Sequence, residues 1–239
     1  MNRAKKGEGT MKFINFVAIG LMAFCMFIVS GITLADDSMV LFLSFDEVSG
    51  NTIKDSSNYK NDGAIKGKPK LVDGKYGKGI QFEAEGDFVE VQSSKSLNIN
   101  DEITLMAWGK NDAWKGAGDT WIDKGTGPNK PSCYGIMVFL LNNASTAYLM
   151  LADGAARHDL TTPKIADVKG WNHIAGTYDG KTLRLYLNGD LLEEKQDVFK
   201  FKGENNLPVV IGAGVERPQY TFEGIIDEVA IFSFDCRRS

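Results

Sequence analysis

The chain has 239 residues, 43% of them hydrophobic, and a formal net charge of −4 at pH 7. This mild acidity argues against a nucleic-acid-binding protein, which needs a basic face. With two histidines and three cysteines, the chain also lacks the clustered ligands of a zinc site.

Residues 13–35 form an apolar run behind Lys12, ending in Thr33-Leu34-Ala35. Small residues at the first and third of these positions suit signal-peptide cleavage. The run is also long enough to span a bilayer, so an uncleaved anchor is the alternative. Codons for Lys5-Lys6-Gly7-Glu8-Gly9 permit a purine-rich ribosome-binding run, which would put the true start at Met11. The expected organisation is a leader over 1–35 and a single domain over 36–239, a size that supports a full core. The leader carries four of the 27 basic and one of the 31 acidic residues, so the remainder has a net charge of −7. Export implies a secreted, surface or periplasmic protein, with no membrane contact once the leader is cut. Cys133 and Cys236 remain in the exported part. In an oxidising compartment they form either a disulfide or two independent thiols, and spacing does not choose.

Short apolar runs between turn residues recur throughout the exported part, which predicts an all-β sandwich or barrel. Val40–Phe45 is the first expected strand. Gly79–Phe82 and Phe88–Val91 flank Glu85-Gly86-Asp87 as a hairpin, and Ile103–Trp108, apolar on both faces, is expected to be central. Residues 109–134 form a long Gly-, Asp- and Lys-rich segment, with one short strand expected around Trp121-Ile122-Asp123. Thr182–Asn188 alternates strictly, with Leu183, Leu185 and Leu187 on one face. Asp179-Gly180 and Asn188-Gly189 suit the tight turns on either side. Trp171–Tyr178, Thr182–Asn188 and Leu191–Gln196 should therefore form a meander, followed by strands at Val209–Ile211 and Gly224–Phe232.

No catalytic constellation emerges. Neither cysteine lies beside a histidine in the sequence, and there is no Gly-x-Ser-x-Gly. Glu223, Asp227 and Glu228 lack the spacing of an alternating-acid glycosidase strand. His173, on an expected strand, reads as a core or near-core residue. The polar run from Ser44 to Gly63 holds Asp46, Glu47, Asp55, Asn58, Asn61 and Asp62. With Gly63 as the sixth position of an EF-hand loop, the third would be Lys60 and the twelfth Pro69, so the pattern fails. Two readings stay open, an irregular calcium site and ordinary turn chemistry. Trp114, Trp121, Tyr134 and Tyr220 lie in or beside polar segments, where ring faces can stack on sugars; the alternative is that they cap the core. Arg157-His158-Asp159, after the Asp153-Gly154 turn, is a candidate polar rim.

Several blocks resemble the laminin-G-like (concanavalin A-like) jelly-roll family. They are Leu43–Thr52, Gly77–Phe82, Phe88–Val91, Ile103–Trp108, Trp171–Gly189 and Gly224–Val229, in that order. The chain departs from the family pattern after Ser233. The resemblance implies a two-sheet antiparallel sandwich and a non-enzymatic binding or adhesion module, its ligand a glycan or an extracellular protein. The alternatives are a polysaccharide hydrolase or lyase on the same fold and a purely structural surface protein. Many relatives hold a structural Ca2+. Phe45-Asp46-Glu47 and Ile226-Asp227-Glu228-Val229 match the family's blocks near its two ends. If first and last strands are neighbours, Asp46 and Asp227 meet, and two apposed carboxylates favour a cation between them. Asn61 and Asp62 would complete that shell. Trp114, Trp121, Arg157, His158 and Tyr220 would line the glycan rim.

Overall fold

The computed structural model describes residues 37–234, apart from 112–118, 126–132, 142–143, 163–169 and 216–219. The expected leader, Trp114 and Cys236 lie outside the described residues. Among the described residues the strands are β1 (Met39–Leu43), β2 (Val48–Ser49), β3 (Thr52–Ile53), β4 (Gly63–Lys66), β5 (Lys70–Asp73), β6 (Lys78–Phe82), β7 (Phe88–Val91), β8 (Ile103–Lys110) and β9 (Asp119–Lys124). They continue as β10 (Tyr134–Leu141), β11 (Ala144–Ala152), β12 (Arg157–Thr161), β13 (Trp171–Tyr178), β14 (Thr182–Leu187), β15 (Asp190–Gln196), β16 (Val209–Ile211) and β17 (Gly224–Phe232).

Two antiparallel sheets result, as the alternation of apolar and polar residues predicts. The first runs β15-β14-β13-β8-β17-β6-β5, with β1 also paired to β17. The second runs β12-β11-β10-β9-β16-β7-β4-β3-β2. The meander of β13, β14 and β15 forms as its turn dipeptides predict. Leu183 and Leu185 are buried on its inner face, whereas Arg184 and Tyr186 are only half-buried.

The sheets meet through interdigitating inner residues. Gly176 of β13 lies against Leu149 of β11, and Gly109 of β8 leaves room for the Trp121 indole of β9. Four successive strands make one end of the second sheet. There β9, β10, β11 and β12 pair in succession, and the described side chains of β9 are buried throughout.

Strand β17 changes partner along its length. Gly224–Ile226 pairs with β6, and Val229–Phe232 pairs with β1. The handover falls at Asp227 and Glu228, where the ladder to β8 also shifts register. A bulge of this kind re-aims side chains. It gathers the end of β1, the β5–β6 turn and the middle of β17 at one point.

Candidate functional site

That point holds three carboxylates. Asp227 is 0% exposed. Its Oδ2 accepts the Tyr76 amide at 3.0 Å and its Oδ1 the Glu228 amide at 2.8 Å; the Lys75 amide also donates to it. The β5–β6 turn therefore wraps its backbone around this carboxylate. Gly74 permits the close approach, because a Cβ there would lie 2.5 Å from Asp227 Oδ2. Asp46 sits across the turn, its Oδ1 accepting the Lys78 amide at 2.7 Å. Gly77, at φ +50°, leaves it space, since a Cβ would collide with Asp46 Oδ1. Phe45 and Glu228 both adopt positive φ, 62° and 51°, a strained conformation of the kind that gathers at functional sites.

The charges are crowded. Burial pushes the Asp227 carboxyl up to about 6, and the charge of Asp46 adds to the effect. Burial, with the neighbouring Asp227 and Asp46, pushes Glu228 up to about 7. Asp46 and Asp227 thus come together through the pairing of β1 with β17. Glu228 is the third acid, which the sequence reading passed over. Asp46 Oδ2 and the Glu228 carboxylate make no hydrogen bond among the described residues.

Asn61 and Asp62 serve elsewhere. Asn61 Nδ2 donates to the Val40 carbonyl and to Ser96 Oγ. Asp62 accepts the Lys54 ammonium at 2.6 Å and the Asp55 amide at 3.0 Å. Both belong to a knot around Asp55, which is 2% exposed. The Asp55 carboxylate accepts the Phe42, Ser57 and Asn61 amides and the Ser57 hydroxyl, at 2.6 to 2.9 Å. Turn chemistry accounts for this half of the polar run.

The expected glycan rim divides. Trp121 is 2% exposed and packs edge-on against Phe222 at 5.8 Å, so its indole fills the core; the Gly109 slot is the reason. Tyr134 is likewise buried, its hydroxyl donating to the Leu97 carbonyl. His158 is clamped rather than presented. Its ring nitrogens lie 3.2 Å from Asp153 and 3.2 Å from Asp197, and its ring stacks on Phe199 at 3.7 Å. Arg157 pairs with Asp159 on the same strand. Tyr220 is half-exposed just before β17. Cys133 is buried.

A ring surface does exist, on the outer face of the first sheet. Trp108 of β8 pairs with Asp227 of β17 on one side and with His173 of β13 on the other. The next position across is Asn188, whose Oδ1 accepts the His173 amide at 2.8 Å. Side chains opposite one another on neighbouring strands share a face, so the row reads carboxylate, indole, imidazole, amide. Tyr76, 42% exposed, stands edge-on to Trp108 at 6.1 Å. The Lys75 ammonium lies 4.5 Å above the indole centroid, a cation–π contact. His173 tilts against Trp108 at 5.1 Å, and burial pushes its imidazole down to about 4, keeping it neutral at pH 7. Sequence missed this row, because residues 76, 108, 173, 188 and 227 come from five separate segments.

Burial raises another acid, Asp119, away from this point. Burial, with the charge of Glu223 nearby, pushes Asp119 up to about 7, while Asn111 donates to it at 2.9 Å.

Residues 83–236 match the family described as the concanavalin A-like lectin/glucanases superfamily, of laminin G type. The chain belongs to that family. Among solved structures it is similar to domain 4 of AbnA, an extracellular GH43 arabinanase of Geobacillus stearothermophilus, determined in complex with arabinotriose. Identity is 20%, the match covers 82% of this chain and 92% of that one, and the TM-score is 0.64. It is also similar to the binding domain of Paraclostridial Mosquitocidal Protein 1, at 21% identity, 83% and 49% coverage and TM-score 0.60. The binding domain of botulinum neurotoxin DC, in complex with SialylT, is similar at 16% identity, 83% and 48% coverage and TM-score 0.59. The chain spans about half the length of the two toxin domains. No curated protein sequence matches it.

Proposed function

We propose that this protein is an exported, non-enzymatic binding module that recognises carbohydrate on the outer face of its first sheet. The observation that carries the reading is the row Trp108–His173–Asn188, with Tyr76 beside it and the buried Asp227 behind the turn that holds Tyr76. Sugar rings present apolar C–H faces and polar hydroxyl edges. Indole and phenol rings suit the faces, and the Asn188 amide suits the edges. Lys75 leaves the Trp108 face when a sugar stacks there and turns its ammonium to a hydroxyl. Support comes from the fold shared with an arabinanase domain whose complex holds arabinotriose.

Calcium would bind beside this row. The donors fit it in kind, being hard oxygens. Among the described residues no group of three or more His, Cys, Asp or Glu is arranged to hold a metal. The ion would therefore take Asp46 Oδ2 and the Glu228 carboxylate and complete its shell with carbonyl oxygens or water. Asp227, its oxygens already engaged by three amides, would supply charge. Calcium bound there would neutralise the crowded acids and fix the turn that carries Lys75 and Tyr76.

The test is isothermal titration of the chain with arabino-, xylo- and cello-oligosaccharides, beside an assay for released reducing ends. The expected result is binding by the wild type, clearly weakened binding in Trp108→Ala, and no released sugar. Binding untouched by Trp108→Ala would refute the row as the site. Turnover would refute the non-enzymatic reading.

A further inference from the structure

A second polar feature lies apart from the ring row. The segment after β7 and the segment before β16 border an open, shallow cleft of about 640 Å³, within the ~300–1,000 Å³ range of small-ligand sites. Gln92, Ser94, Lys95, Asn98, Asn100, Glu204 and Asn206 are among its eight lining residues, and every one of the eight is polar. The side chains of Lys95, Asn100, Glu204 and Asn206 make no hydrogen bond among the described residues. Asn98 uses its Oδ1 on the Asn205 amide and keeps its Nδ2 donors. Gln92 is steadied by a 2.7 Å bond to Glu90 and keeps its Oε1.

The walls are held from behind by Lys124. This residue of β9 is wholly buried. Its ammonium donates to Ser93 Oγ on one wall, and to Asn205 O, Asn205 Oδ1 and Leu207 O on the other, at 2.9 to 3.3 Å. Asn205 answers by donating from Nδ2 to the Lys124 carbonyl. A buried cation with several acceptors costs desolvation but locks the groups around it. Lys124 thus ties the two walls together before any ligand arrives, which lowers the ordering cost of binding.

We propose that this cleft is a second glycan subsite, taking the hydroxyl-rich end of a neutral oligosaccharide. The class follows from the lining. Amides and hydroxyls both donate and accept, as sugar hydroxyls do. One lysine and one glutamate cancel, so nothing favours an anionic sugar. No ring is present to stack, so affinity rests on hydrogen bonds alone. This inference rests on the carbohydrate reading above.

The experiment is a titration of the 15N-labelled full chain with neutral arabino-, xylo- and cello-oligosaccharides, and with uronic-acid oligosaccharides as the charged comparison. Neutral probes should shift the side-chain NH2 signals of Asn98, Asn100 and Asn206. The exposed double variant Asn100→Ala/Asn206→Ala should keep its fold and weaken those probes about tenfold, the loss of one or two hydrogen bonds. In Trp108→Ala the cleft signals should still move. Shifts confined to Tyr76, Trp108 and their neighbours would overturn the cleft and leave the ring row standing. Uronic-acid probes binding the cleft as tightly as neutral ones would overturn the ligand class. If no probe moves any signal, the carbohydrate reading falls and the cleft falls with it.

Discussion

Replacing Asp55 by alanine should cost more stability than any other change in the polar run from Ser44 to Gly63. Its carboxylate is buried and accepts four donors, three of them backbone amides. Hydrogen bonds to a charged group contribute roughly 1.5–3 kcal/mol each, and a stranded buried donor costs ~1–3 kcal/mol. These losses share one site and do not add. Relaxation and water would recover part, leaving a net cost of about 3–5 kcal/mol, a large share of the ~5–15 kcal/mol typical of a domain. The melting temperature should fall by roughly 10 °C. The control is Asp62→Asn, which keeps an acceptor for the Asp55 amide and removes only the exposed pair with Lys54; it should cost about 1 kcal/mol or less. Urea unfolding at neutral pH, with slopes compared to confirm two-state behaviour, reads both. An Asp55→Ala variant no less stable than Asp62→Asn would refute the hydrogen-bond accounting.

Gly109→Ala should destabilise by about 1–3 kcal/mol, because its Cβ would collide with the Trp121 indole in a packed interior; calorimetry with indole fluorescence checks it. Calcium should raise the melting temperature of the wild type and leave that of Asp46→Asn/Glu228→Gln unchanged. Equal wild-type melting temperatures in calcium and in chelator would remove the metal. The half-buried His173 should make stability fall with acidification. Its folded pKa is about 4 against the ordinary histidine value of 6.5, so between these values the unfolded chain takes up a proton that the native state refuses, and unfolding is favoured. The difference in stability between wild type and His173→Gln, followed from pH 7 to pH 4, should shrink steadily; a flat difference would contradict the burial.

The sandwich was largely legible because its sheets alternate cleanly where one face meets solvent. Thr182–Asn188 is the clearest instance, with leucines inward and Arg184 and Tyr186 outward. The second sheet was harder, because β9 buries Asp119, Thr120, Asp123 and Lys124 among its apolar residues, which erases the contrast that marks a strand. The meeting of Asp46 with Asp227 was legible only through the family resemblance, whose first and last blocks carry the two acids. The fate of Asn61 and Asp62 was not, since both supply oxygens whether they face a cation or a backbone amide. Trp121 misled for a simple physical reason. Glycine nearby suggests an open loop, yet Gly109 instead hollows a slot on the opposite sheet. The ring row stayed hidden because Ile103–Trp108 is apolar on both faces, and sequence does not say which face Trp108 takes.

The pairing of β1 with β17 has a consequence for how the molecule forms. Met39 lies opposite Phe232 and Leu43 opposite Val229, so the ladder joins segments almost two hundred residues apart. Strand β17 also bridges β8 and β6, and until it arrives the first sheet is split. Contacts of such long range are made late and slowly. A ribosome must therefore deliver nearly the whole domain before its core can close. The three acids of the handover come together in that same last event, so their site exists only in the finished molecule.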